Sequence, residues 1–466
     1  MTYKYFFFDF DGMLCDTYDH ITHALIKTLK ETRGITINYK EAYDLLKITF
    51  REMYKFYNIT EEEKKIFLKY HEDFNTLPHA KLYLPVKKLL KTLKQAGCKL
   101  FIYTNRNASL FDYLDAFNIK EYFEDFILEA NKPDPTLLLN MVNKYNLPID
   151  ECVVVGDRSI DVDAAYNCGM DGILYDVDSR VFLHHATHVI KRINELYNFI
   201  DIPYKLKNNY HTHTLRCGHA IGSDEEYIVK AIEAGYQVIG MSDHVIIPDV
   251  NRNEEYFESI SLLKEKYKEQ IDVKIALEVE WYERYIPYYK NLLKENKVDY
   301  LIFGNHGYLD KFSSSRSEEL SFMVKFNEHS NEYYLDKYYY CLKKALESGL
   351  FKYICHPDCF LRGLQVWDET AVKFSHKIAQ LLSKYDVYAE LSASGIRNRT
   401  KVNYNGELIP AYPFKEFFKI LKEYNIKFVI GCDAHAPNQL DDYAVQQACD
   451  LAKELQLDIV YTINDL

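Results

Sequence analysis

The chain has 466 residues, enough for two or three domains with separate cores, and its 48% hydrophobic and 27% charged composition is ordinary for globular protein. No stretch approaches the roughly 18 apolar residues of a membrane span, so no membrane association is expected. A formal net charge of −12 argues against a general nucleic-acid binder, while leaving room for local basic pockets that take phosphate.

From residue 3 to about 180, short apolar runs alternate with amphipathic stretches. Strands are predicted at Tyr5–Phe8, Lys99–Tyr103, Phe126–Leu128, Val153–Val155 and Gly172–Leu174, the signature of a parallel sheet with helices on its faces. Residues from about 17 to 80 are helical, charged and strand-poor, and read as a helical insert after the first strand. His188–Ile200 reads as a connecting helix, and a domain boundary is expected near 200–207. The ten cysteines form no compact CxxC pair, and the opening apolar run has no cleavage-like tail. Reduced thiols and a cytoplasmic location are therefore expected.

The first half carries a carboxylate site. The first strand runs into Asp9 and Asp11, followed by Gly12. Alternate strand residues face one way, so both carboxylates reach one reacting centre. One can attack phosphorus while the other gives a proton to the leaving oxygen and later activates water. Thr104 and Asn105 end another strand and offer a hydroxyl and backbone donors to a phosphoryl oxygen. Lys132 adds positive charge at a strand–helix junction. Asp157 and Asp161 follow a buried strand and, with Asp9, make an oxygen-rich site that suits Mg²⁺.

This ordered set resembles the haloacid-dehalogenase superfamily, in its phosphoglycolate-phosphatase-like branch, over roughly residues 3–185. The resemblance implies a Rossmannoid parallel sheet with a helical cap. It implies Asp9 as nucleophile, Asp11 as general acid/base, Thr104, Asn105 and Lys132 at the phosphate, and Mg²⁺ held by Asp9, Asp11, Asp157 and Asp161. Met13 stands where that branch usually has Thr, which removes a hydroxyl but no charge.

From residue 208, strands are predicted near Val238–Met241, Val273–Leu277, Tyr300–Phe303, Tyr353–Ile354, Tyr388–Leu391 and Phe428–Ile430, with a polar and aromatic insertion at 309–340 leading into a helix. Each run ends at or just before a His, Asp or Glu, where barrel enzymes place their chemistry. His211 and His213 can bite one ion from one strand face. His219 follows in a loop, and Asp243, His244, Glu278, Glu280, His306, His356, Asp358, Asp433 and His435 close the later runs. Imidazoles and carboxylates hold borderline and hard divalent ions. Cys355 and Cys359 flank the His356 motif, and a thiolate ligand there is a minor alternative. The tract His184, His185 and His188 lies outside both motif sets.

The second half resembles the polymerase-and-histidinol-phosphatase (PHP) superfamily over about residues 207–465. That resemblance implies a distorted (β/α)7 barrel binding three divalent metals, Zn²⁺, Mn²⁺ or Fe²⁺. The implied ligands are His211, His213, His219, His244, Glu278, His306, His356, Asp433 and His435, with Glu278 bridging two ions. The run from Glu390 through Gly395 to Arg397 resembles the histidinol-phosphate phosphatase branch, from which Leu391, Ser392 and Ala393 depart. Arg397 is the stronger candidate for a phosphate fork and Arg362 the weaker. Clustered cations bring the pKa of water toward neutrality, so no covalent intermediate is needed in this half. His435 or Asp433 is placed to protonate the leaving alkoxide. The expectation is an α/β protein with domains at 1–200 and 207–466, bifunctional toward small phosphorylated metabolites. The C-terminal domain would hydrolyse L-histidinol phosphate and the N-terminal domain another small phosphate ester. The alternatives are a different metabolite or a nucleotide in the C-terminal site, and a non-catalytic or regulatory N-terminal module. Nothing in the sequence sets an oligomeric state.

Overall fold

A computed structural model describes residues 2–75, 80–201, 206–245, 250–309, 319–398 and 400–463. The chain divides into two compact units, Met1–Ile202 and Pro203–Leu466. The expected boundary at 200–207 and the expected insertion at 309–340 fall in part on residues outside the described set.

The first unit is built on a parallel sheet of six strands: β1 (Tyr5–Phe8), β2 (Lys99–Tyr103), β3 (Phe123–Ile127), β4 (Cys152–Gly156), β5 (Asp171–Tyr175) and β6 (His188–Ile190), in the order β3-β2-β1-β4-β5-β6. Strand residues alternate between two cores. Phe6, Phe8, Leu100, Ile102, Val153 and Val155 pack on one face, and Phe7, Phe101 and Val154 on the other. Burial on both faces explains why β1 and β4 read as unbroken apolar runs. Asp9 and Asp157 lie just beyond the ends of the two central strands, so the chemistry gathers at one sheet edge.

Between β1 and β2 the chain leaves and returns through a two-stranded antiparallel ribbon that pairs Cys15 with Leu82 and Asp16 with Lys81. Beyond it, helices Tyr18–Arg33, Tyr39–Ile48, Phe50–Phe56 and Glu61–Glu72 enclose a small core of their own around Tyr18, Leu25, Leu29, Leu46, Met53 and Phe67. Local chemistry sets their starts: Asn38, Thr49 and Thr60 cap three of them, and Thr60 with Glu63 completes a capping box.

The connecting helix expected at His188–Ile200 is not formed. His188–Ile190 extends the sheet as β6, pairing with Ile173, Leu174 and Tyr175, and a 3-10 helix follows at Ile193–Phe199. Val189 and Ile190 are β-branched and the edge of β5 offers a ladder, so tertiary pairing overrides the helical pattern.

The second unit is a barrel of seven parallel strands in chain order: β7 (Asn208–Asn209), β8 (Val238–Met241), β9 (Asp272–Val279), β10 (Tyr300–Phe303), β11 (Tyr353–Ile354), β12 (Tyr388–Ser392) and β13 (Lys427–Gly431). A helix follows each strand, at Asp224–Ala234, Val250–Tyr267, Ile286–Lys294, Asn331–Ser348, Glu369–Leu382, Lys415–Glu423 and Tyr443–Leu455. Alternate strand residues fill the inside (Ala276, Tyr300, Ile302, Tyr353, Tyr388 and Val429) or pack outward against the helices (Leu277, Leu301, Phe303, Ala389, Phe428 and Ile430).

The barrel is nearly closed. Between β13 and β7 a single parallel bridge joins Thr212 to Ala434. Side chains complete the seam: Asn209 Oδ1 accepts from the Cys432 amide at 2.9 Å, and Asn208 Nδ2 donates to the Tyr461 carbonyl at 2.6 Å.

Candidate functional site

Each unit gathers its expected residues at the C-terminal ends of its strands. In the first, Lys132 Nζ sits 2.7 Å from Asp9 Oδ1 and 2.6 Å from Asp161 Oδ1, and all three side chains are buried. Asp11 is forked by Arg106, with Nη2 at 2.6 Å and Nε at 3.1 Å. Tyr18 donates to Asp157 Oδ2 at 2.7 Å and accepts from Arg158 Nε at 2.9 Å. Asn105 Oδ1 takes the Lys132 amide, and Thr104 Oγ1 takes the Arg106 amide. Asp9, Asp11, Thr104, Asn105, Arg106, Lys132, Arg158 and Asp161 line a cavity of about 380 Å³, together with Ile21, Thr49, Phe50, Leu68 and His71 of the helical insert. Gly12 is required where it stands: its φ is +81°, and a Cβ there would meet Asp157 Oδ2 at 2.3 Å.

The electrostatics of this site call for a cation. Burial raises the Asp9 carboxyl to about 8 against the pull of Lys132, and raises Asp157 to about 6. Burial also works to raise Asp11, but the Arg106 fork outweighs it and holds that carboxyl below the usual range. Asp157 Oδ1 is buried with no hydrogen-bond partner. Crowded carboxylates with an unused oxygen are the donor set of a hard divalent ion, so Mg²⁺ fits.

In the second unit eight of the nine implied ligands line one cavity of about 760 Å³, and the ninth, His211, is buried against Glu278 and Asp433. Glu278, 1% exposed on β9, is the hub. Its Oε2 lies 3.5 Å from His211 Nε2, 3.3 Å from His213 Nε2 and 3.1 Å from His244 Nδ1. Its Oε1 lies 3.3 Å from His306 Nε2 and 3.2 Å from His356 Nε2, yet makes no hydrogen bond. Asp433 Oδ1 stands 3.7 Å from His211, 3.4 Å from His213 and 3.5 Å from His435. The His219 ring lies 5.3 Å from that of His244 and 4.8 Å from that of His435. The imidazoles outweigh burial and hold Glu278 well below the carboxylate range.

Several features of the cluster suit a bound cation. The Nε2 atoms of His211 and His213 meet at 2.9 Å, and those of His306 and His356 at 3.3 Å. Nitrogens this close are accommodated by a shared proton or by a cation between them. His356 and Asp433 hold φ values of +26° and +42°, strained for residues with side chains. Close-packed glycines make the room: a Cβ on Gly304 would meet Glu278 Oε1 at 2.2 Å, and one on Gly431 would meet Glu390 Oε1 at 1.7 Å. Imidazole-rich donors with two central carboxylates fit divalent transition metals.

Surrounding groups orient the ligands. Glu390 accepts from His211 Nδ1 at 2.9 Å, from the Tyr353 hydroxyl at 2.8 Å and from the His356 amide at 2.9 Å. Asp243 lies 3.5 Å from His213 Nδ1, and Glu280 lies 3.2 Å from His306 Nδ1. Asp358 instead pins the Phe414 amide at 2.7 Å.

The two expected substrate arginines part company. Arg397 is not brought to the cavity: it forks Asp442 at 2.7 and 2.9 Å and donates to the Cys432 and Gln439 carbonyls at 2.8 Å. Every arm of its guanidinium is used in holding the loop after β12 to the one after β13. Arg362 does line the cavity, with a buried Nε that has no partner, and Arg216 and Arg252 line it as well. Arg106, Arg158 and Tyr18 were not singled out from the sequence, and Glu390 was named there only as the start of a motif, without a role. Arg106 directly follows the Thr104–Asn105 pair, the one local signal that pointed to it. The tract His184, His185 and His188 makes no cluster: His185 pairs with Asp163 at 2.8 Å, and His188 packs on Phe199.

Comparison with known proteins gives two family matches, a haloacid dehalogenase-like hydrolase over residues 6–175 and a PHP domain over residues 209–394. A probable histidinol-phosphatase of Deinococcus radiodurans is 25% identical over 240 residues, 49% of this chain and 86% of that protein. A phosphoglycolate phosphatase of Aquifex aeolicus is 28% identical over 176 residues, 35% of this chain and 79% of that protein. The solved candidate histidinol phosphatase of Listeria monocytogenes is 20% identical with a TM-score of 0.42, covering 52% of this chain and 99% of its own.

Proposed function

We propose, for a chain that joins a haloacid dehalogenase-like hydrolase domain to a PHP domain, a bifunctional phosphatase with one reaction centre in each. The chain is a phosphoric monoester hydrolase. Residues 207–466 act on L-histidinol phosphate, releasing L-histidinol and phosphate. Residues 1–200, with the insert at about 17–80 as cap, act on a small phosphate ester of the phosphoglycolate class. The observation that carries the reading is the convergence of Glu278 and eight other separated ligand-type residues at one barrel mouth.

Divalent cations, Mg²⁺ among Asp9, Asp11, Asp157 and Asp161 and three transition-metal ions among the PHP ligands, supply charge to the phosphoryl oxygens and acidify water. In the first domain, the Asp9 carboxylate forms a bond to phosphorus as the ester oxygen leaves. Water then attacks the aspartyl phosphate and frees Asp9. Lys132 and Thr104 hold phosphoryl oxygens, and Lys132 also fixes the attacking carboxylate. Arg106 fixes the direction of Asp11, which serves first the leaving oxygen and then the water.

In the second domain the nucleophile comes from solvent and no bond to the chain forms. Arg362 takes the phosphate, and the leaving alkoxide takes its proton from solvent. The roominess of the cavity and the cations Arg216 and Arg252 along it also favour a second reading, in which the same chemistry serves a larger phosphorylated metabolite or nucleotide. The test is the full chain carrying Asp9→Asn or His213→Ala, assayed on histidinol phosphate and phosphoglycolate. Each substitution should abolish one hydrolysis and spare the other. Loss of both activities from either substitution, or of neither, overturns the assignment.

A further inference from the structure

The mouth of the second unit holds a thiol that neither the ligand set nor the arginines use. All ten cysteines are unpaired; eight are buried, and only Cys168 and Cys217 are partly exposed. Cys217 ends the 3-10 turn Leu215–Cys217, and Gly218, at φ +81°, turns the chain back so that His219 follows at once. The Cys217 sulfur lies within 4.8 Å of donor nitrogens of His219 and His435, and within the same distance of donors on His213 and Asp243.

The neighbouring rings are already set for a ligand. His219 Nδ1 is 3.1 Å from the Cys217 carbonyl oxygen, and His435 Nδ1 is 3.1 Å from that of Asp433. An imidazole that donates Nδ1–H to a carbonyl keeps the lone pair on Nε2. His213, only 1% exposed, gives an independent sign: its Nδ1 is buried 3.5 Å from Asp243 and makes no hydrogen bond. Two free imidazole lone pairs, a thiol and an unsatisfied buried nitrogen form a mixed nitrogen–sulfur set. Such sets suit thiophilic ions, whereas oxygen-rich ones suit manganese and magnesium.

Resting on the metal-cluster reading above, we infer that Cys217 is a thiolate ligand of the cation held by His219 and His435, and that it makes this position select zinc or ferrous iron over manganese. On binding, a sulfur–metal bond forms and the thiol proton passes to solvent. Elsewhere in the cluster the donors are nitrogen and carboxylate oxygen, apart from the buried Cys355, whose sulfur lies within 4.8 Å of donors on His211, Glu278 and His356.

The full chain carrying Cys168→Ser, which leaves Cys217 as the one partly exposed thiol, is loaded with Co²⁺ and followed by absorption spectroscopy. Visible d–d bands report that the cluster takes the ion, and a near-ultraviolet sulfur-to-cobalt charge-transfer band reports the thiolate. The expected result is both bands, with loss of the charge-transfer band alone on adding Cys217→Ser. Zinc should also slow the reaction of Cys217 with Ellman's reagent by at least about tenfold, and manganese should not. A charge-transfer band that survives Cys217→Ser, or d–d bands without it, overturns the thiolate proposal and leaves the cluster standing. Absence of every cobalt band overturns the cluster reading and this inference with it.

Discussion

In the first unit Asp9 and Asp161 share Lys132, and Asp11 has Arg106, so most of its charge is paired within the protein. In the second, five imidazoles surround Glu278, and four of them meet in pairs nitrogen to nitrogen. The first arrangement presents a chain carboxylate as the attacking group and uses fixed cations to aim it. The second presents lone pairs, so its reactivity belongs to what those lone pairs hold. The two proposed reactions differ accordingly, a covalent strategy in one unit and a solvent strategy in the other.

The largest test of this contrast is the crossed pair of substitutions. Asp9→Asn should lower turnover in the first unit by at least about 1,000-fold, with histidinol phosphate hydrolysis unchanged in the same preparation. Next comes Glu278→Gln, which weakens the hub of the second unit. Metal analysis after gel filtration should show the loss of bound transition metal, while Mg²⁺-dependent hydrolysis in the first unit persists. If the full metal complement is retained, Glu278 is not the hub.

Charge pairing makes the first unit vulnerable in a different way. Lys132→Met leaves two buried carboxylates facing each other, and stability should fall by about 3–5 kcal/mol, read by calorimetry as a lower melting transition. Bound Mg²⁺ should recover part of that loss. The two arginines of the second unit separate positioning from recognition. Arg362→Ala should raise KM for the phosphate ester about tenfold, the loss of a charged hydrogen bond, without lowering the melting temperature. Arg397→Ala should do the reverse, because its partners are Asp442 and two backbone carbonyls.

The smallest effect concerns the helical insert. Arg33 pairs with Glu63 at 2.6 Å and holds its carboxyl below the usual value. A depressed carboxylate stabilises the fold above its unfolded pKa of about 4.3 and loses that contribution as pH falls toward the folded value. Acid titration below about pH 4 should therefore soften the insert in the native protein. Glu63→Gln should flatten that part of the profile in a fluorescence melt.

The residues that converge near Glu278 were legible because most of them end an apolar run, and a parallel barrel brings the ends of such runs together. What orients them was less so. Glu390 lies in a motif that the sequence displays, yet its partners His211, Tyr353 and His356 come from other strands. Arg397 misled for the same reason: a guanidinium near strand-end ligands reads as a phosphate fork until Asp442, 45 residues later, is found facing it. Strand β6 was read as helix because its three residues pair only with an edge that a local pattern does not contain.

The seam of the barrel has a practical consequence. The last described stretch of chain is woven into the floor: Ile459 bridges Phe428, the Tyr461 carbonyl accepts from Asn208, and the Ile463 amide donates to the Tyr210 hydroxyl. Any pull on the chain just beyond Ile463 is therefore transmitted to the staves opposite the reaction mouth, and substitutions at Ile459, Tyr461 or Ile463 loosen the barrel from its floor.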